Sequence, residues 1–152
     1  MMGSIDRNQI YKAITTTLVT ATLAACAGSP PDYLGVHNGR LAACPSTPNC
    51  VSSYAHDKDA RIAPFRFAGS AADAQEKLVR ILNKQDNVKI VVNKRGYVRT
   101  EFSSSFMGFV DDVEFVIEPE LIHVRSASRL GYSDLGANRE RVNMLRREFS
   151  KI

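Results

Sequence analysis

The segment most informative about the fold is residues 112–128, Asp-Val-Glu-Phe-Val-Ile-Glu-Pro-Glu-Leu-Ile-His-Val-Arg-Ser-Ala-Ser. Apolar and polar residues alternate on both sides of the central Pro-Glu pair, which is the pattern of two half-buried strands joined by a tight turn. A two-residue turn places Phe115 opposite Val124 and Glu114 opposite Arg125. Since one register yields an apolar pair on one face and an ion pair on the other, the segment predicts an antiparallel hairpin.

A further hairpin is predicted just upstream, where two alternating segments flank a loop that ends in Arg-Gly-Tyr. The glycine of this loop can adopt the positive φ that hairpin turns require. A three-residue loop sets Val92 opposite Val98 and Lys89 opposite Glu101. Both pairings are chemically complementary, which supports this register.

Two helices and a short strand complete the predicted domain. Residues 62–67 predict a short strand, and residues 70–85 predict a helix with Ser70 as its N-cap. A last helix is predicted from residue 134 or 135 to residue 149. The order β-α-β-β-β-β-α predicts an α+β fold, in which an antiparallel sheet of four to five strands has two helices packed on one face. The other face of the sheet is predicted to be charged and solvated.

Length and charge exclude several classes of protein. The chain has 152 residues and a formal net charge of +4. This length suits one domain and is too short for a (β/α)₈ barrel or a two-domain dehydrogenase. The positive excess is too small to be a signature of nucleic-acid binding, so no nucleic-acid partner is predicted.

The N-terminus predicts export and lipid anchoring. Residues 1–25 contain two basic residues and then an apolar run of about 13 residues, as secretory signals do. They end in Leu-Ala-Ala before Cys26, which resembles a bacterial lipobox, where the signal is cleaved and the thiol is acylated. We therefore predict a signal peptide at residues 1–25, the lipidated cysteine and a flexible tether at residues 26–33, and one α+β domain at residues 34–152. The alternative is an N-terminal amphipathic or buried helix.

The lipobox also predicts a location. An acylated cysteine anchors the chain to a membrane of the bacterial cell envelope, with the domain facing the periplasm. The outer membrane is favoured over the inner one because Ala27, the residue after the cysteine, is not an aspartate.

Two cysteines remain for the folded domain, Cys44 and Cys50. In an oxidising periplasm, two nearby cysteines most simply form a disulfide. A zinc site that adds His37 and His56 is an alternative, although these spacings match no common zinc pattern. A redox-active pair is another alternative, although the C-x-x-C spacing is missing.

Three parts of the sequence resemble a known family. The opening signature of the domain-of-unknown-function 1499 family is similar to Leu-Gly-Val at residues 34–36 followed by Cys-Pro-Ser-Thr-Pro-Asn-Cys-Val-Ser-Ser at residues 44–53. Residues 109–115 and 122–139 match the family further along, in the same order. This resemblance spans nearly all of the chain after the predicted signal, and it implies no established reaction.

Two places are candidate ligand sites. On the charged face, Arg125 and Arg129 are spaced for bidentate contacts to a carboxylate or phosphate. The loop over residues 126–139 leads into a helix N-terminus, where backbone N–H groups could bind an anion. The alternatives are structural: ion pairs on a solvated face, and a corner in which Asp134 caps the helix while arginines pair with neighbouring aspartates. The candidate ligand-binding residues are Arg99, Glu114, His123, Arg125, Ser128, Arg129, Asp134, Asn138 and Arg139.

The predicted function is a periplasmic, lipid-anchored module that binds an envelope protein or a small polar or anionic ligand and catalyses no reaction. The alternative is an envelope enzyme that uses the Arg129–Asn138 loop or a face formed by Asp112, Glu114, His123 and Arg125. The two carboxylates and the histidine of that face could hold a metal, but the adjacent arginines favour salt bridges. No cofactor or metal is therefore predicted. A third hypothesis is a structural or assembly factor whose basic last helix faces a partner or anionic lipid headgroups through Arg139, Arg141, Arg146 and Arg147.

Overall fold

A computed structural model describes residues 28–104 and 108–151. The predicted signal peptide at residues 1–25 and the predicted lipidation site Cys26 lie outside the described residues. In chain order, the elements are β1 (Val36–His37), β2 (Arg40–Leu41), β3 (Cys50–Ser52), β4 (Phe65–Arg66), α1 (Ala71–Leu82), β5 (Val88–Lys94), β6 (Tyr97–Ser103), β7 (Val110–Glu118), β8 (Leu121–Ser128) and α2 (Ala137–Ser150).

Six of these strands form one sheet with antiparallel pairing, which confirms the predicted α+β class. The order is β3-β8-β7-β6-β5, with β4 also pairing with β8, while β1 and β2 pair separately. Strands β3 and β4 share one edge of β8, where Cys50 lies opposite Ala127 and Phe65 lies opposite Ile122. The predicted number of strands was slightly low because β3 has only three residues, too few to show an alternating pattern.

The β7–β8 hairpin has the predicted register. Phe115 lies opposite Val124, and Glu114 lies opposite Arg125. The hairpin therefore places its apolar pairs on the helix side of the sheet and its charged pairs on the other side.

The β5–β6 hairpin has the predicted register along only part of its length. Lys89 lies opposite Glu101 as predicted, but Val92 lies opposite Arg99 and not Val98. The strands are joined by a two-residue turn, and the register shifts between residues 90 and 92. This bulge adds one residue to β5, so the prediction for Val92 was wrong.

Both helices pack on one face of the sheet, as predicted. Helix α1 begins after Ser70, whose Oγ accepts a hydrogen bond from the N–H of Asp73 at 3.1 Å. Helix α2 begins at Ala137, later than predicted, because Leu135 and Gly136 have left-handed backbones with φ of 53° and 87°. The core between sheet and helices is apolar and consists of Val51, Ile62, Phe65, Ala74, Leu78, Ile81, Leu82, Val98, Phe102, Val113, Phe115, Ile117, Ile122, Val124, Val142, Leu145 and Phe149. Within the part of the chain that the structure describes, no helix combines the length and the apolar character needed to cross a bilayer.

The opposite face of the sheet is covered around Glu114 and Arg125, although the sequence predicted it to be solvated, and Lys89 on the edge strand β5 is exposed as predicted. Residues 28–41, which we call the N-terminal strap, lie across it, and Leu41 packs against Tyr97. Beneath the strap, Glu114 and Arg125 are 0% and 1% exposed. The prediction was wrong because alternation shows only which face of the sheet a side chain occupies. Whether that face is buried depends on distant segments that pack on it, such as the strap.

Candidate functional site

A buried ion pair, Glu114 and Arg125, lies on the covered face. The two residues are directly opposite in the β7–β8 register, so their side chains share one face. Nη1 of Arg125 and Oε2 of Glu114 are 3.7 Å apart, which is an ion contact but too long for a hydrogen bond. These two atoms and Nε of Arg125 have no hydrogen-bond partner among the described residues. Since buried polar atoms are nearly always partnered, three such atoms together make this pair the leading candidate for a ligand site.

The N-terminal strap is attached to this pair through its backbone and one aromatic ring. The N–H of Gly35 donates to Oε1 of Glu114 at 2.7 Å, and the hydroxyl of Tyr97 donates to the same oxygen at 2.7 Å. The ring of Tyr33 covers Arg125, with the guanidinium carbon 5.1 Å from the ring centroid. Burial and the hydrogen bond to Glu114 raise the pKa of Tyr97, so its hydroxyl keeps the proton that it donates.

A second buried cluster surrounds Arg129. Its Nε and Nη2 donate to the two carboxylate oxygens of Asp112 at 2.8 and 2.9 Å, and Nη2 also donates to Glu101 at 2.5 Å. Its Nη1 donates to the carbonyl of Gly28 at 3.2 Å. Arg99 lies 3.6 Å from the same aspartate. Arg129 is therefore engaged within the fold and joins the strap to the sheet.

His123 lies on the covered face in a separate environment. Its ring stacks on Tyr54 with centroids 4.2 Å apart, and Nδ1 lies 3.0 Å from Oγ of Ser53. Burial lowers the pKa of His123, although the carboxylate of Glu118, 3.7 Å from Nε2, acts in the opposite direction. Burial likewise raises the pKa of Tyr54 to about 12. The histidine is thus favoured in its neutral form.

The loop after β8 is held at the start of α2 by Asp134. Its Oδ1 accepts from the N–H of Gly136 and its Oδ2 from the N–H of Asn138, both at 2.9 Å. Burial raises the pKa of Asp134, but these hydrogen bonds outweigh that effect and the pKa lies below its usual value. The N-cap position of α2 is Gly136, so Asp134 does not occupy it as the structural alternative required, but it accepts from one N–H of the first helical turn.

Three more candidate residues brace the same corner. The side-chain amide of Asn138 donates to the carbonyl of Asn49 and to Oγ of Ser128, both at 3.0 Å. Arg139 donates to the carbonyls of residues 59 and 61 at 2.6 and 3.0 Å. These contacts bind neighbouring parts of the chain together, and they occupy the side chains that the sequence assigned to anion binding.

A disulfide joins Cys44 and Cys50, with Cα atoms 5.6 Å apart, which confirms the predicted pair. Cys50 is the first residue of β3, so the bridge fixes the preceding loop against the sheet. Next to it, the side-chain amide of Asn49 donates to the carbonyl of Gly131 at 2.7 Å. The disulfide loop therefore also supports the loop after β8.

Two cavities lie on opposite sides of the sheet. The larger, about 760 Å³, lies between α1 and the β5–β6 turn, and Gln75 on its wall hydrogen-bonds across it to Asn93 and Gly96. The smaller, about 370 Å³, lies under the strap and adjoins Glu114, because Gly35 and Tyr97 line it and both donate to this carboxylate. Its lining residues are Pro30, Pro31, Leu34, Gly35, Val92, Lys94, Tyr97 and Arg99.

The candidate residues do not converge on one site. Asp112 lies opposite Ala127 and His123 lies opposite Val116. Four residues of β8, or about 13 Å, therefore separate the aspartate from the histidine. Within residues 28–104 and 108–151, no group of three or more His, Cys, Asp or Glu side chains could hold a metal ion.

Sequence reasoning missed three residues of the leading site, Tyr33, Gly35 and Tyr97. Tyr97 was counted as part of a loop. It lies two residues before Arg99, and residues two apart on a strand share a face, so the sequence could have placed it on the charged face. Gly35 lies within the Leu-Gly-Val segment of the family resemblance. For Tyr33, no local pattern predicts contact with a residue 92 positions away.

A comparison with protein families matches residues 40–149 to a family described as "Protein of unknown function (DUF1499)". The matched span covers well over half of the chain and includes β3–β8, α1 and all but the last residue of α2. No curated protein matches the chain.

Proposed function

The chain belongs to the DUF1499 family, and on this premise we propose that it is a lipid-anchored protein of the bacterial envelope that binds a small polar or anionic ligand. The ligand site is the Glu114–Arg125 pair beneath the N-terminal strap, and no reaction is catalysed there. The observation that carries the proposal is that three polar atoms of this almost fully buried pair lack hydrogen-bond partners among the described residues.

Two observations on the cysteines support the proposed location. Cys26 follows the Leu-Ala-Ala of a lipobox-like segment. Cys44 and Cys50 form a disulfide, and disulfides persist in oxidising compartments such as the periplasm. A periplasmic domain with an acylated N-terminal cysteine accounts for all three cysteines.

Lipid anchoring is tested by labelling bacterial cells that make the chain with radioactive palmitate. We expect the wild-type protein to carry the label and to partition into the detergent phase of a cell extract. Cys26→Ala abolishes the label, whereas the Cys44→Ser/Cys50→Ser variant keeps it. Label that persists in Cys26→Ala would disprove this part of the proposal.

The chemistry of the pair defines the ligand class. Nε and Nη1 of Arg125 lie on different sides of the guanidinium group, and each can donate a hydrogen bond to an oxygen of an anionic group such as a carboxylate or phosphate. Oε2 of Glu114, which receives no hydrogen bond from the described residues, is an acceptor for a hydroxyl or amino group. The proposed ligand therefore carries an acidic group and a neighbouring donor. The ligand enters when the part of the strap that contains Tyr33 and Gly35 moves away from the sheet.

Binding is favoured over catalysis because the groups that an enzyme would use are engaged or distant. Asp112 is held by Arg129 through two hydrogen bonds. His123 stacks on Tyr54, four residues along β8 from the position opposite Asp112. An acid–base pair must lie within hydrogen-bond reach of the same reacting group.

Ligand binding is tested by NMR titration of the protein with phosphate esters and hydroxy acids. We expect saturable shifts at the Gly35 and Tyr97 amides for at least one compound. Arg125→Met/Glu114→Gln removes both charges together, so it avoids an orphaned buried ion and should abolish the shifts. Arg139→Ala, outside the site, should bind like the wild type. Unchanged binding by the double variant, or no saturable response from the wild type, would refute the ligand site.

A further inference from the structure

We propose that the loop over residues 130–135, which we call the docking loop, inserts its apolar side chains into the surface of the bilayer that holds the lipid anchor. The side chains concerned are Leu130, Tyr132 and Leu135. This inference rests on the proposed lipid anchoring, and it adds a second contact that orients the domain on the membrane.

The docking loop exposes more apolar surface than its role in the fold explains. Leu135 is 96% exposed, Tyr132 is 74% exposed and Leu130 is 44% exposed. Phe109 is 40% exposed and lies at the same end of the sheet. Its neighbour Val110 accepts a hydrogen bond, through its carbonyl, from the N–H of Arg129, the residue just before the loop. Clustered exposed apolar side chains mark surfaces that contact a membrane or another protein.

The position of the anchor selects the membrane as the partner. The carbonyl of Gly28 accepts from Arg129, and a Cβ on Gly28 would lie 3.3 Å from Cγ of Leu130. Cys26 is two residues earlier, so covalent geometry limits its Cα to about 7 Å from that of Gly28. Acyl chains on Cys26 therefore enter the bilayer beside the docking loop.

The loop also has the chemistry and rigidity of a membrane-surface contact. Its only charged residue is Asp134, whose carboxylate accepts hydrogen bonds from the backbone N–H groups of Gly136 and Asn138. Its backbone is braced by the bond from Asn49 to Gly131 and by the bond from the N–H of Leu135 to Ser133. Tyrosine is enriched at membrane–water interfaces, where its ring is apolar and its hydroxyl remains hydrated. Little ordering is therefore required when the loop meets the bilayer.

The chain contains no tryptophan, so a single introduced tryptophan reports its own surroundings. The test uses Leu135→Trp in the full, acylated chain, purified and placed in vesicles of phosphatidylethanolamine and phosphatidylglycerol with or without brominated acyl chains. The matched control is Arg95→Trp, at an exposed turn on the other end of the sheet, roughly 25 Å away along the strands. Mass spectrometry of the Cys26 peptide establishes acylation in each sample.

We expect a blue-shifted emission for Leu135→Trp and quenching by brominated lipid that is several-fold greater than for Arg95→Trp. Tyr132→Trp should show the same pattern. Equal quenching at both ends of the sheet in acylated protein overturns the docking loop and leaves the lipid anchor intact. A blue shift seen only with envelope proteins present, and not in pure lipid, overturns it in favour of a protein partner. An unmodified Cys26 instead refutes the anchoring itself, and the inference falls with it.

Discussion

Arg125 and Arg129 show how hydrogen-bond partners distinguish a structural arginine from one in a candidate ligand site. Arg129 directs its nitrogens at Asp112, Glu101 and the carbonyl of Gly28. Arg125 is more deeply buried than Arg129, yet its Nε and Nη1 have no hydrogen-bond partner among the described residues. The sequence predicted both as ligand-binding residues because their spacing places them on one face. Their partners come from distant segments, which spacing does not reveal.

Arg129→Ala is expected to destabilise the fold strongly. The substitution leaves Asp112 buried without its main partner, and breaking such a buried pair costs about 3–5 kcal/mol. Arg80→Ala, which removes an exposed pair with Glu76, should change stability by less than about 1 kcal/mol. Urea unfolding of both variants measures the difference. Similar losses in the two variants would contradict a structural role for the Arg129 cluster.

The partly buried His123 predicts that stability depends on pH above the range in which carboxylates titrate. Burial lowers its pKa in the folded state, so the unfolded chain binds a proton that the folded chain does not. Stability is therefore highest above the unfolded-state pKa of about 6.5 and decreases as the pH falls through and below that value.

Urea unfolding between neutral pH and mild acid measures this dependence. We expect His123→Gln to flatten the curve, because the substituted side chain does not titrate. His56→Gln, a change at an exposed histidine, should leave the slope of the wild type. A slope that survives unchanged in His123→Gln would show that another group causes it.

At the scale of elements, the sequence predicted the parts of the fold that depend on local periodicity. Glu114 and Arg125 were placed opposite each other because apolar and polar residues alternate around them, and β7 and β8 pair without a register shift. Val92 was misplaced because the bulge in β5 breaks that alternation without a distinctive residue at the position. Local patterns carry strand identity and face, and a single inserted residue is enough to change the register.

The N-terminal strap could not be predicted in the same way. Its strands β1 and β2 have two residues each, too few for a periodic signal. It is positioned by contacts across the sequence, such as Gly35 to Glu114 and Tyr33 to Arg125. The sequence therefore predicted the charged residues of the candidate site. It did not predict that they are buried or that the strap covers them.

The disulfide is expected to contribute about 2 kcal/mol to stability, because it closes a short loop with a sequence separation of 6. Cys44→Ser/Cys50→Ser should lose about that much in urea unfolding. Amide exchange should also rise at Gly131, since Asn49 beside the bridge holds its carbonyl. Reduction of the wild type with a thiol reagent provides an independent measurement without a substitution. Unaltered stability after full reduction would show that the bridge constrains neither state.

At the scale of the whole molecule, the strap connects the proposed anchor to the proposed ligand site. It begins at Gly28, which Arg129 holds next to the docking loop, and crosses the sheet to Gly35 over Glu114. The end at Gly28 is held by the charged side chain of Arg129, while the end at the proposed ligand site is held by the backbone N–H of Gly35 and the ring of Tyr33. In the proposed lipid-anchored state, opening at the ligand end therefore does not require the domain to leave the membrane.

Gly35→Ala is expected to loosen the strap while the sheet and helices stay folded. Gly35 has φ of 114°, a conformation that costs a residue with a Cβ roughly 1–3 kcal/mol, and its N–H binds Glu114. Gly69→Ala is the matched control, because Gly69 has φ of 93° but lies in the exposed loop before α1. Hydrogen exchange should rise in residues 30–41 only for Gly35→Ala, since local opening depends on contacts in the segment that opens. If the two variants lose protection equally across the molecule, the strap is part of the global folding unit and does not open separately to admit a ligand.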